Sequence, residues 1–207
     1  MDENVLTQLA RTAELHPAKS VPGGLDKKLP DKGIYAWYFK DVPAPVREYV
    51  DDCPNREGAA LLYIGISPTS DNSKNTLSNR LQFHLRGNAF GSTVRLSLGC
   101  LLGKELGIEL RRAGSGSRLT FHKVGGDAKA GEKCLTNWIA ENVLLCWAEH
   151  AKPWDIEPWL IAELKPPLNL DHNSQHPFYQ RLTELRAEAR KQALNSGSFA
   201  NQTNPDL

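Results

Sequence analysis

Apolar residues recur along this chain in two periods. Residues 33–39 (GIYAWYF) and 59–66 (AALLYIGI) are short aromatic and branched runs set between Gly, Pro and polar clusters, the mark of strands. A third such run is 142–147 (NVLLCW). The first two are close in sequence and are expected to pair antiparallel. In residues 76–86, Leu77, Leu81 and Leu85 recur at i, i+4 and i+8, the apolar stripe of a helix. Residues 92–106 read as a second helix capped by Ser92. Residues 4–15, 132–140, 156–164 and 178–194 complete the helical set. Pro158 is expected in the first turn of its helix, and Phe178, Leu182, Leu185 and Ala189 are expected to point inward from the last. The glycine-rich stretch 114–131 predicts a short hairpin or a mobile loop, and the last thirteen residues predict a frayed tail.

These elements predict an α/β (α+β) domain: a small central mixed or antiparallel three-stranded sheet flanked by helices. A chain of 207 residues is long enough for one domain with appendages. No run approaches the length of a spanning helix, and the acidic start MDENVLTQLA lacks the pattern of a signal peptide. Cys53, Cys100, Cys134 and Cys146 form no C-x2-C pair, so reduced thiols and a cytoplasmic location are expected, with no membrane partner.

Net charge is +1, from 25 basic and 24 acidic residues, which excludes a uniformly basic histone-like protein and an acidic disordered tail. The distribution is uneven. Residues 80–133 hold 10 basic and 4 acidic side chains, a local +6, while residues 134–207 hold 6 and 9. The basic middle is open to two readings: a phosphate-facing surface or a solvated face.

The candidate chemistry lies on the predicted elements. Arg80 and His84 are four apart and share a helical face beside the leucine stripe. Arg80 offers a planar fork for phosphate oxygens or a surface salt bridge, and His84 a site role or a structural hydrogen bond. Glu157 stands near a helix start, as a charge matched to the helix N-terminus or as a ligand. Glu163 does not share its face. Tyr35 and Tyr63 could be ordinary strand aromatics, and Asn169, after two prolines, a self-capping turn.

Taken together, Gly33-Ile34-Tyr35, Tyr63-Ile64-Gly65, Arg80 with His84 in an R-x3-H spacing, Glu157 in EPWLIAEL and Asn169 in KPPLN resemble the GIY-YIG nuclease superfamily, in the family's order over about residues 33–169. The resemblance implies a metal-dependent DNA endonuclease of repair, defence or mobile-element type. It implies catalytic roles for Tyr35, Tyr63, Arg80, His84 and Glu157, with Glu157 as the metal ligand. Gly33, Gly65 and Asn169 would support the site. One carboxylate with waters suits Mg²⁺, with Mn²⁺ as a substitute. Tyr35 would act on the attacking water, which needs positive potential because free tyrosine titrates near about 10.

Under this reading residues 1–32 form an N-terminal helix and loop extension. Residues 33–170 form the nuclease domain, with insertions at 40–58 and 107–131, and 171–207 a C-terminal helix and flexible tail. Arg86, Arg95, Arg111, Arg112, Arg118, Lys123 and Lys165 are expected to contact DNA, helped by glycines 114, 116, 125 and 126. No separate targeting module follows residue 170, so the insertions or a separate targeting protein would select the substrate. Two alternatives stay open: an oligomeric, possible homodimeric, restriction enzyme, and a binding protein that kept the fold without turnover. A metabolic enzyme on another α/β fold is disfavoured by the lack of phosphate-cradling glycine motifs.

Overall fold

A computed structural model describes residues 2–21, 29–114 and 118–195. The predicted tail beyond residue 195, part of the 20–32 loop and Gly116 lie outside the described residues. In chain order the elements are α1 (Glu3–Thr7), a π-helical turn Gln8–Thr12, β1 (His16–Pro17), β2 (Gly33–Phe39), a 3-10 helix Ala44–Tyr49, β3 (Asn55–Arg56) and β4 (Ala59–Ser67). Then follow α2 (Leu77–Arg86), α3 (Thr93–Leu106), β5 (Ile108–Arg112), β6 (Leu119–Lys123), α4 (Ala128–Asn142), β7 (Val143–Glu149), α5 (Pro153–Leu164) and α6 (Tyr179–Asn195).

The expected three-stranded sheet is corrected. The main sheet has five strands in the order β1-β7-β2-β4-β3, and β5-β6 form a separate two-stranded sheet. The three strands read from sequence are its centre, with β2 antiparallel to both β4 and β7. The two added strands are two residues long, too short to carry a period. β5 and β6 pair antiparallel as a hairpin that begins at Ile108, earlier than the short hairpin expected within 114–131. The start of α5 is also corrected: the helix begins at Pro153, so Pro158 lies in its interior and Glu157 in its second turn.

Every residue of β2 is buried because the sheet is covered on both faces. Alternation divides the strand between two cores. Ile34, Ala36 and Tyr38 join Val5, Leu9 and α5 residues Leu160, Ile161 and Leu164. Tyr35, Trp37 and Phe39 join Leu77, Leu81 and Leu85 of α2, with residues of α3, α4 and α6. In β4 the alternation breaks: Leu62 and Tyr63 are neighbours, yet both face the second core. The register against β2 shifts at that point, with Trp37 opposite Tyr63 but Tyr38 opposite Leu61. This bulge turns Tyr63 to the face of Tyr35.

Beyond Ala60 the outer edge of β4 has no strand partner among the described residues. Residues 168 and 169 cover it. The Leu168 N–H donates to the Leu62 carbonyl (2.9 Å). The Asn169 carboxamide accepts from the Ile64 N–H and donates to the Ile64 carbonyl, both at 2.9 Å, standing in for a strand. Asn173 then donates to the Pro166 and Asn169 carbonyls and holds this segment in place.

The helices of the second core are tied by one ion pair. Arg95 is 0% exposed and bonds Glu132 of α4 at 2.7 Å. The same guanidinium donates to the carbonyls of His84 and Leu85, at the end of α2. Glu132 also accepts from the backbone N–H groups of Ala89 and Phe121. Arg95 is therefore not a DNA contact, as its place in the basic segment suggested; it is consumed inside the fold. Among the described residues no helix is long and apolar enough to cross a membrane, and all four cysteines are free thiols.

Removing one partner of such a pair strands the other charge. Arg95→Met should lower stability by about 3–5 kcal/mol, with a smaller loss in the Arg95→Met, Glu132→Gln double variant. Urea denaturation measures both, and a midpoint unmoved by Arg95→Met would contradict the assignment.

Candidate active site

Tyr35, Tyr63, Gly65, Arg80, Glu157 and Asn169 line one cavity of about 530 Å³, together with Thr93, Asp171, His172 and Arg186. The fold thus gathers onto one concavity residues from β2, β4, α2, α3, α5, α6 and the segment after α5. His84 stands behind it rather than on its surface.

Tyr35 is fully buried, and its hydroxyl lies 2.7 Å from His84 Nε2. Its ring passes across Gly65, directly opposite on β4; a Cβ at residue 65 would collide with the Tyr35 hydroxyl. A Cβ at Gly33 would collide with the Ala148 carbonyl, so that glycine serves the contact with β7. The Tyr35 and Tyr63 rings are 6.3 Å apart, and each lies about 6 Å from the His84 ring.

His84 is not at the margin of its helix. It follows Leu77 by seven residues and Leu81 by three, which puts it on the buried stripe. Its Nδ1 lies 2.6 Å from Ser92 Oγ, and Ser92 also accepts the N–H of Arg95 as the cap of α3. Burial, then the charges of Arg80 and Arg95, push the imidazole well below the usual histidine range, so it is neutral. A neutral imidazole has one donor and one acceptor nitrogen. Ser92, His84 and Tyr35 therefore form a relay with two tautomers, in one of which Nε2 accepts the Tyr35 proton.

Burial, then the neighbouring Tyr63, hold the Tyr35 phenol well above its usual range; Arg80 opposes this without winning. The positive potential of Arg80 alone is thus outweighed by desolvation, and beside Arg80 alone Tyr35 stands as a phenol. Burial also raises Tyr63, opposed first by a hydrogen bond with Thr93 and then by the charge of Arg80.

Glu157 extends the buried stripe of Leu160, Ile161 and Leu164 toward the start of α5, which forces it to be half-buried. Burial raises its carboxyl above the usual range, with His172 opposing and Asp171 adding. No ion pair reaches it among the described residues. Nor, among those residues, do three or more His, Cys, Asp or Glu groups converge as a metal cluster. A desolvated, unpaired carboxylate facing a cavity suits a cation that keeps most of its water, as Mg²⁺ does.

The expected DNA contacts scatter. Arg86, Arg111, Arg112, Arg118 and Lys123 are exposed. Arg111 pairs with Glu109, Arg118 stacks over the exposed Phe90 ring (5.6 Å), and Lys123 donates to the Leu106 carbonyl. Lys165 pairs with Asp52 at 3.5 Å and lines a separate cavity. Asp171, His172, Thr93, Ser92 and Arg186 escaped the sequence reading. Ser92 was seen only as a cap, while Asp171 and His172 follow Asn169 closely and carried a proximity signal.

Residues 33–188 match the family described as GIY-YIG catalytic domain. No curated protein and no solved structure matches the chain.

Two expectations follow from this geometry. Gly65→Ala should displace the Tyr35 ring and break its bond to His84, abolishing the activity of the site while the protein stays folded by circular dichroism; an active Gly65→Ala protein would refute the contact. For His84 the sign is set by its lowered folded-state value. Below about pH 6.5 the unfolded chain takes up a proton that the folded chain refuses, so this contribution to stability is complete above about 6.5 and is lost as pH falls. The slope should approach about 1.4 kcal/mol per pH unit. Urea midpoints between pH 7 and 5 should fall less steeply in His84→Gln, and equal slopes would count against a neutral buried imidazole.

Proposed function

We propose, from the premise that this chain belongs to the GIY-YIG catalytic domain family, that it is a DNA endonuclease hydrolysing phosphodiester bonds with a divalent cation. The observation that carries the reading is the bond from Tyr35 to His84 at the wall of a cavity shared with Tyr63, Arg80 and Glu157. These groups supply a proton path, an anion clamp and a cation ligand around one space.

Glu157 would hold Mg²⁺, or Mn²⁺ in its place, and the bound cation would stabilise charge on the phosphate and on the leaving oxygen. The chain's own residues do the rest. Arg80, half-buried and with an unpartnered Nε, takes the non-bridging phosphate oxygens. The Tyr35 oxygen accepts a proton from the attacking water as its own proton passes to His84 Nε2. Nδ1–H of the resulting imidazolium donates to Ser92. Because Tyr35 is held as a phenol and His84 as a neutral base, this transfer accompanies the attack instead of preceding it. The oxygen–phosphorus bond to water forms in line as the bond to the leaving oxygen breaks. Tyr63, tied toward Thr93, orients the water or phosphate. Asn169 holds the Ile64 peptide, and with it the positions of Tyr63 and Gly65 on either side. No covalent enzyme intermediate is required.

A cleavage panel with Mg²⁺ tests the reading: single-stranded, duplex, nicked, flap and branched DNA, and RNA. DNA should be cut and a chelator should stop it. Glu157→Ala should slow cleavage by roughly a thousandfold while DNA affinity holds or rises slightly, since a negative charge is removed from the phosphate site. A parent protein that cuts no DNA, or a Glu157→Ala variant that cuts normally, would refute it.

A further inference from the structure

Buried arginines in this fold fall into two kinds. Arg95 is sealed in the core and fully used, bonded to Glu132 and to the carbonyls of His84, Leu85 and Glu132. Arg186 is different. It projects from α6, beside the inward residues Leu182 and Leu185, into the cavity that holds Tyr35, Tyr63, Arg80 and Glu157. It is half-buried, its Nε is shut off from solvent, and that nitrogen has no hydrogen-bond partner. Among the described residues no carboxylate lies within ion-pair distance of it.

A guanidinium withdrawn from water without a partner is costly. Here the cost is raised first by burial and then by the like charge of Arg190, and is only partly relieved by Cys100, Asp171 and Tyr63. One other arginine lining the cavity, Arg80, also has a buried Nε without a hydrogen-bond partner. Two guanidinium groups in one cavity, each with an Nε that lacks a partner and with no ion pair among the described residues, call for a ligand with several anionic oxygens. One phosphate needs one fork; a nucleic-acid strand brings a second phosphate beside the first. Arg190, exposed one turn further along α6, continues the positive line out of the cavity.

We propose that Arg186 is a phosphate-binding residue of this site, holding the phosphate next to the scissile one while Arg80 holds the scissile phosphate. The inference rests on the nuclease reading above. It gives the C-terminal helix a substrate-binding task in addition to its packing against α3 and β5.

Binding of 5′-labelled single-stranded and duplex DNA, measured without divalent cation over a range of salt, tests it. Arg186→Gln should weaken binding about tenfold and reduce the log–log salt slope by about 1, since one phosphate contact no longer releases a counterion. Arg186→Lys should restore most of the slope, keeping the charge without the fork. The melting temperature of Arg186→Gln should hold or rise, because no protein partner is lost; cleavage should fall more at limiting than at saturating DNA. Unchanged affinity and slope in Arg186→Gln, beside a parent that binds and cuts DNA, would overturn this inference alone. So would a melting temperature lowered by several degrees that Arg186→Lys does not restore, which marks a structural arginine. A parent that neither binds nor cuts nucleic acid would remove the nuclease reading and this inference together.

Discussion

The Tyr35 hydroxyl must be satisfied inside a strand that is covered on both faces, and much of the site follows from that requirement. A phenol oxygen in the middle of a packed sheet is costly without a partner. Its partner is His84, which must therefore sit on the buried stripe of α2 and remain neutral. His84 in turn needs a partner for its other nitrogen, and Ser92 supplies it while capping α3. Gly65 leaves the space through which the tyrosine ring reaches His84. Thus the same contacts that complete the core set out a proton path ending at the cavity.

Charge is handled in the same economical way. Arg95 and Glu132 neutralise one another where α2, α3, α4 and β6 meet, and the ends of that pair satisfy backbone groups of three segments. Next to this closed arrangement lies an open one. Glu157, Arg80 and Arg186 enter the cavity with no ion pair among the described residues. Opposite charges left apart around a concavity are a poor way to stabilise a fold and a good way to receive a cation and phosphate together. Folding stability and ligand binding therefore make opposite demands on these two sets of charges.

The two cores also separate duties. The face formed with α1 and α5 is nearly all hydrocarbon and fixes where Glu157 stands. The face formed with α2, α3, α4 and α6 carries the tyrosines and the histidine. β2 and β4 form the wall between these cores, and Glu157 from one side meets Arg80 and the tyrosines of the other at the cavity.

The chain's local patterns sufficed for the central strands, the leucine stripe of α2 and the cap of α3, because each carries a period or a spacing that survives without neighbours; Tyr35, Tyr63, Arg80, His84 and Glu157 stood out as candidate groups through the resemblance of their motifs to the GIY-YIG family. Other features depended on contacts between distant segments. The bulge that swings Tyr63 onto the Tyr35 face leaves no mark in AALLYIGI, since both faces there are apolar. The two-residue strands β1 and β3 exist only because β7 and β4 offer them partners. Arg95 carried the same local signal as its basic neighbours, yet Glu132, 37 residues away, drew it into the core. Arg186 lies on a helix that reads as ordinary amphipathic surface, and only packing turns that helix so that its guanidinium enters the cavity. Residue type and spacing decide which groups are present; burial and long-range pairing decide which of them are already satisfied and which are left free to bind.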